Sequence, residues 1–267
     1  MCQPIFCEDV LEELPLDKIP TTIYHMAYEP SYGSLDIHFW THCNLKCRAC
    51  YANYELDDFS LLDDPTGHMI NKTRVAPPED FLSLEEVRER LKGLDIKYVI
   101  LVGTEPSIDP SLPKVTRMLK EDFGAYNMLL TNGVKLTDMK DIDEVMFSLK
   151  ALDEDIYKAY TGRSNKKVLE NLRKIYDMGI KLQVETVLIP ALIDEYEVER
   201  VAEYVAGIDP EIPFRVDAYF RVPDCPWVDA TNEEVGRAAS LSRKHLRHVS
   251  HLSLDMKRLG DKAVRIV

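Results

Sequence analysis

The chain has 267 residues, 45% hydrophobic and 30% charged, a globular composition long enough for one large domain. Its 33 basic and 46 acidic residues give a net charge of −13, which weighs against a general binder of nucleic-acid backbones. No apolar run approaches the roughly 18 residues of a membrane span, and no basic-then-apolar leader opens the chain, so a cytoplasmic protein is expected.

Residues 1–32 carry Cys2, Cys7 and prolines at 4, 15, 20 and 30, and predict an irregular N-terminal extension packed outside a main domain of residues 33–267. From Ser34 to Trp40, Leu35, Ile37 and Phe39 alternate with Asp36, His38 and Trp40, the period of a strand. Directly after it comes Cys43-Asn44-Leu45-Lys46-Cys47-Arg48-Ala49-Cys50, three thiols at spacing C-x3-C-x2-C. Thiolates at this density select zinc or an iron–sulfur cluster. A [4Fe-4S] cube is usually held by four cysteines, so three leave one iron open to an outside ligand. Zinc, with His42 as fourth ligand, is the competing reading; such sites usually pair a C-x2-C with a second distant pair, which this chain lacks. Residues 51–80 are long and polar, either a lid beside the thiols, a docking loop for a partner, or a plain surface loop.

From residue 81 strands and helices alternate. Ser83-Leu84-Glu85-Glu86 reads as a capping box opening a helix. Tyr98 to Val102 is a buried strand, followed by Gly103-Thr104-Glu105-Pro106. A helix over 111–120 and a strand over 125–130 lead to Thr131-Asn132-Gly133. A strand over Val145–Lys150, helices over 153–160 and 166–178, and a strand over Leu182–Ile189 follow. Asp194 opens another helix, Phe214–Phe220 is a strand, and Thr231 opens a last helix to about 248. The tail, 251–267, adds a short strand or two. Six strand–helix units in succession predict parallel strands with right-handed crossovers; periodicity alone does not separate a barrel from an open doubly wound sheet.

The three-cysteine motif, joined to Gly103-Thr104-Glu105-Pro106 after the next strand, resembles the radical S-adenosylmethionine (SAM) enzymes. Thr131-Asn132-Gly133, the stretch from Met146 to Lys150, the segment from Asp153 to Leu169, and Ile189 to Asp194 are similar to the glycyl-radical-enzyme activases, and the likeness covers about residues 34–228. It implies an α/β fold of the partial (β/α)6-barrel type. It also implies a [4Fe-4S] cluster on Cys43, Cys47 and Cys50, and SAM bound at the open iron. Reductive cleavage of SAM would then give a 5′-deoxyadenosyl radical that abstracts hydrogen. Residues implied around SAM are Gly103, Thr104, Glu105, Thr131, Ser148 and Lys150, with Glu105 at the amino group, Lys150 at the carboxylate and Ser148 at a ribose; strand parity, below, adds Glu185 and Arg215 to the cofactor side. The implied partners are a glycyl radical enzyme, or another protein or peptide substrate, and an electron donor such as flavodoxin or ferredoxin. The chain departs from the family pattern at five places. Thr104 replaces the second glycine of the family's G-G-E-P motif. Ala49 replaces an aromatic residue near the adenine, a contact that falls to Tyr51 or Trp40. Leu130 and Ser148 replace two aspartates of a monovalent-cation site, and Glu185 replaces an arginine. No cation site is therefore expected.

Strand parity gives an independent expectation. If the apolar faces meet the outer helices, the lumen receives Asp36, His38, Ser148, Lys150, Gln183, Glu185, Arg215, Asp217 and Tyr219. Buried charges must be paired or ligand-bound. The lumen is then a polar SAM and substrate cavity, or a structural network with Glu185–Arg215 and Asp217–Lys150 pairs. Cys2, Cys7 and Cys225 lack motif spacing; a second cluster on them is the alternative to buried filler. His245, His248 and His251 read as surface or core. Activase-like hydrogen abstraction from a partner's glycine leads, ahead of a small-molecule or peptide substrate, and ahead of a zinc or iron–sulfur interaction module without turnover.

Overall fold

A computed structural model describes residues 14, 15, 18–50, 52, 56–58, 61, 73–75, 78–222, 224–257 and 261–267. Cys2, Cys7, Tyr51 and most of the 51–80 connection lie outside the described residues.

Strand β1 is Ile23–Glu29 and β2 is Ser34–Phe39. A short hairpin, β3 (Leu56–Asp58) and β4 (Thr73–Val75), stands apart from the main sheet. Then come α1 (Leu84–Leu91), β5 (Tyr98–Gly103), α2 (Leu112–Phe123), β6 (Tyr126–Thr131), β7 (Glu144–Ser148), α3 (Glu154–Thr161) and α4 (Lys166–Asp177). The chain continues with β8 (Lys181–Leu188), α5 (Glu195–Ala206), β9 (Phe214–Ala218), α6 (Asn232–Ser242), β10 (Val249–Leu252) and β11 (Val264–Arg265). The main sheet has nine strands in the order β10-β9-β8-β7-β6-β5-β2-β1-β11. From β2 to β10 all neighbours are parallel, whereas β1 and β11 are antiparallel additions at one edge. The two edge strands do not pair, so the sheet is a partial barrel of the (β/α)6 type, extended by β10.

Local chemistry sets the helix starts. Ser83 and Glu86 form a capping box at α1, and Thr231 and Glu234 repeat it at α6. Asp153 and Asp194 accept from backbone amides at the starts of α3 and α5. The outward strand faces form the core under the helices: Leu35, Ile37, Phe39, Val145, Phe147 and Leu149 are all fully buried.

Three sequence expectations change. The stretch read as an irregular extension contains β1, every residue of which is buried. Among the described residues the β6–β7 crossover has no helix. Helix α4 serves that position, where Asn171 Nδ2 donates to the carbonyls of Gly133 (2.8 Å) and Val134 (3.2 Å). The last helix stops at Ser242 rather than near 248.

Candidate active site

The strands β2, β5, β6 and β7 deliver their C-terminal ends to one end of the barrel, where the cysteine loop begins. Gly103 closes β5 against Phe39 of β2. A Cβ there would lie 2.1 Å from the Phe39 carbonyl oxygen, and φ is +126°, so this position needs glycine. Thr104 then laces the turn to the loop. Its amide donates to the Phe39 carbonyl at 3.0 Å, and its hydroxyl donates to the Thr41 carbonyl at 2.7 Å. The Thr41 amide donates back to the Thr104 hydroxyl at 2.8 Å.

The cysteine loop is fastened at its far side by α3. The amides of Lys46 and Arg48 donate at 2.9 Å to the carbonyls of Thr161 and Tyr160, the last residues of that helix. The Arg48 guanidinium stacks 5.1 Å from the Trp227 ring centre, and the Cys225 thiol donates to the Arg48 carbonyl at 2.9 Å. Cys43 Sγ accepts from the Leu45 amide at 3.5 Å and from Asn132 Nδ2 at 3.6 Å.

Burial raises the Cys43 thiol, and the nearby Glu105 and Cys50 raise it further. Burial pushes Cys47 up to about 12; Lys150 pulls it down, while Cys50 and Cys43 push it up. Thiols raised in this way, as Cys43 and Cys47 are, give up their protons most readily to a cationic centre beside them, which suits an iron–sulfur cluster. Among the described residues, the group of three or more metal-type donors lying within 4.8 Å of one another is His25, His38 and Asp58, so the three sulfurs are spread wider than that. Four thiolates around one zinc at about 2.3 Å would stand closer. His42 is exposed and forms no donor group with the three sulfurs within 4.8 Å.

Glu105 is buried, and its carboxylate is already engaged. One oxygen accepts from the Ser107 amide (3.2 Å), the Ser107 hydroxyl (2.5 Å) and the Thr131 hydroxyl (2.7 Å); the other accepts from the Asn132 amide (2.8 Å). Burial raises its pKa even against these donors. It therefore holds the Thr131-Asn132-Gly133 turn, whose Asn132 in turn reaches Asn44 (2.8 Å) and Cys43. Gly133 has φ +72°, and a Cβ there would sit 2.0 Å from the Phe147 ring.

The inward faces of β7, β8 and β9 carry one connected polar chain. Lys150 Nζ donates to the Ser148 hydroxyl, which donates to Glu185 at 2.8 Å. Arg215 bonds Glu185 and also grips Asp217, Nε to Oδ1 at 2.7 Å and Nη2 to Oδ2 at 2.9 Å. Parity therefore placed these side chains together. The Glu185–Arg215 pair is present, but Asp217 pairs with Arg215 rather than with Lys150. Burial pushes Glu185 up, and Arg215 and Lys150 outweigh it, leaving its carboxyl below the ordinary range. Burial pushes Asp217 up to about 6, with Glu185 adding to the rise and Arg215 opposing it.

Gln183 bonds Glu144 instead of the polar chain, and Glu144 is also held by Tyr126 (2.7 Å) and Lys181 (2.8 Å). The Tyr219 hydroxyl accepts from the Val222 amide at 3.2 Å. His38 turns to His25 and Asp58, away from the charged chain. Cys225 is committed to the Arg48 carbonyl. The sequence reading missed the supporting residues Thr41, Asn44, Tyr160 and Trp227. Asn44, Tyr160 and Asn132 each lie inside a stretch quoted as a motif, which was their one signal; Thr41 and Trp227 carried none.

Comparison with known proteins agrees with this geometry. Residues 37–204 match the radical SAM superfamily model, and the chain belongs to that superfamily. It is a radical SAM enzyme, using a [4Fe-4S] cluster and SAM. It is 31% identical over 224 residues to a protein of Methanocaldococcus jannaschii named "Putative glycyl-radical enzyme activating enzyme", covering 81% of this chain and 79% of that one. It is also 31% identical over 168 residues to the S-adenosylmethionine-dependent nucleotide dehydratase of Lacinutrix mariniflava, but that match covers 58% of this chain and 33% of the relative. A crystal structure of a radical SAM methyltransferase from Sphaerobacter thermophilus shares the fold, with a TM-score of 0.59 at 16% identity over 92% of this chain and 80% of that one. No helix among the described residues is long and apolar enough to cross a membrane.

Proposed function

We propose that the chain is activase-like, making a 5′-deoxyadenosyl radical that takes the Cα hydrogen of a glycine in a partner protein, giving 5′-deoxyadenosine and a glycyl radical. Cys43, Cys47 and Cys50 hold the cluster, and an electron enters from a flavodoxin or ferredoxin type of donor. The protein supplies placement and shielding for chemistry that belongs to the cofactors.

The observation that carries this reading is the convergence of the cysteine loop, the turn held by Glu105, and Lys150 at one barrel end. Lys150, whose charge already reaches Cys47, takes the SAM carboxylate. Backbone groups of Gly103, Thr104 and Glu105 take the amino group. Glu105 itself acts as a positioning residue through Thr131 and Asn132, since four donors occupy its carboxylate. Ser148 faces the ribose, and Glu185 and Arg215 line the substrate side. The cytoplasm is the compartment that suits this set of free thiols.

A second reading has one observation in its favour. Lys150 puts a cation on the lumen that a small anionic substrate can meet, whereas Arg215 is already held by Glu185 and Asp217, and a relative is named as a nucleotide dehydratase. The test is anaerobic reconstitution and reduction with SAM, with either a candidate glycyl radical enzyme or nucleotides present. A glycyl radical signal in electron paramagnetic resonance, matched by 5′-deoxyadenosine, supports the activase reading. Turnover of a nucleotide with no radical on the protein would replace it with the second.

A further inference from the structure

A second cluster of metal-type donors lies apart from the cysteine loop. His25 of β1 and His38 of β2 are paired across the antiparallel strands, so their rings share a face, with centroids 5.0 Å apart. Asp58, the last residue of β3, reaches over both. Its Oδ2 is 2.6 Å from His25 Nε2 and 3.5 Å from His38 Nε2. All three residues are buried, at 1%, 9% and 1% exposure for His25, His38 and Asp58.

Two details set this group apart from an ordinary buried ion pair. Among the described residues His38 Nε2 is buried with no hydrogen-bond partner, a state native structures rarely keep without an unseen ion or water. It is aimed at the same carboxylate oxygen that His25 approaches. The other ring nitrogen of His25, Nδ1, lies 2.6 Å from the Val267 carbonyl. A donor bond from Nδ1–H to a backbone carbonyl is how proteins fix the tautomer of a metal-bound histidine, leaving Nε2 to the ion.

We propose that His25, His38 and Asp58 bind one divalent transition-metal ion, with zinc the best fit. The donor atoms already lie within 4.8 Å of one another, and two imidazoles with one carboxylate are a donor set that zinc accepts. Without the ion, a proton bridges His25 Nε2 and Asp58. Binding breaks that N–H bond, releases the proton to solvent, and forms one bond from the ion to each of the three donors. No oxidation or reduction is involved. The ion fastens β3 onto β1 and β2, at the barrel edge where the Val267 carbonyl also meets His25. The apolar patch over this face includes Tyr24, Ala27, Leu61 and Val75, with Trp40 and Cys50 packed against it. The site therefore adjoins the cysteine loop without using any of its sulfurs.

The test uses the anaerobic holoenzyme with its iron–sulfur cluster intact. One equivalent of zinc(II) is added, loosely bound metal is removed with a chelator, and zinc, iron and sulfide are measured per chain. About one zinc should be retained, with X-ray absorption showing nitrogen and oxygen neighbours at about 2.0–2.2 Å and no sulfur. His38→Gln and Asp58→Asn should each weaken zinc retention at least about tenfold, with iron and sulfide unchanged. Negligible zinc in the wild type, sulfur neighbours in its absorption spectrum, or full retention in both variants would each overturn the proposal. The wild-type spectrum decides even where a variant folds poorly.

Discussion

The Thr104 hydroxyl makes two hydrogen bonds to the Thr41 backbone, donating to its carbonyl at 2.7 Å and accepting from its amide at 2.8 Å, and the two hydroxyls lie 2.9 Å apart. Thr104 stands where the resembling family has glycine, so this lace is a feature of the present chain. It fixes the backbone two residues before Cys43.

Thr104→Val keeps the shape and removes both bonds, stranding the Thr41 backbone groups. Each lost bond costs roughly 0.5–1.5 kcal/mol, so about 2 kcal/mol is expected in total. For a chain of this size that is a fall in Tm of roughly 4–8 °C, with faster loss of iron. A Tm and an iron content equal to wild type would show that the lace does not hold the loop.

Arg215 is the cation between Glu185 and Asp217. Arg215→Met keeps length but leaves two carboxylates facing each other. Breaking one side of a fully buried pair costs about 3–5 kcal/mol; here the three side chains keep 16–27% of their surface open, so roughly 1–3 kcal/mol is expected. The variant should also yield less product per SAM cleaved. Denaturant unfolding and product yield on the same protein check both, and unchanged coupling would place Arg215 outside substrate handling.

Asp217 gives a pH signature. Its folded pKa, about 6, exceeds its ordinary value of 3.8, so between these the folded state keeps a proton that the unfolded state has released. Its contribution to stability is therefore present at low pH and is lost as pH rises through about 4 to 6. Glu185, lowered when folded, works in the opposite sense, gaining above its folded pKa. Asp217→Asn removes the first effect and also takes a carboxyl away from beside Glu185. Relative to wild type, that variant should gain stability as pH rises from 4 to 7, in urea melts at each pH. A difference that is flat with pH would contradict the assignment.

How much of this was legible varied with the strand. On β7 to β9, polar and apolar residues alternate because one face meets helices and the other a charged lumen, so parity found Ser148, Glu185, Arg215 and Asp217. Strand β1 reads Ile-Tyr-His-Met-Ala-Tyr-Glu and is buried throughout, so no alternation marked it. The flanking Pro20 and Pro30 pointed to irregular chain instead. Glu105 was visible as part of a motif with Ser107 two residues on, but its other donors, Thr131 and Asn132, come from the next strand end, which spacing does not specify. Arg48 against Trp227 joins residues far apart in sequence, and nothing local announces it.

Leu130 and Ser148 supply no carboxylate for a monovalent cation, and the Lys150 ammonium already sits on the Ser148 hydroxyl. SAM cleavage should therefore change little when sodium replaces potassium at constant ionic strength. A large, saturable stimulation by one ion would reveal a cation site.

The cysteine loop is the centre of the account, and reductive SAM cleavage tests it most directly. The anaerobically reconstituted, reduced protein is given SAM, and 5′-deoxyadenosine is measured for wild type and for Cys43→Ala, Cys47→Ala and Cys50→Ala. Wild type should form 5′-deoxyadenosine and each single variant should form none above background. Wild-type levels of 5′-deoxyadenosine from any one of the three variants would contradict the assignment of the cluster to these thiols.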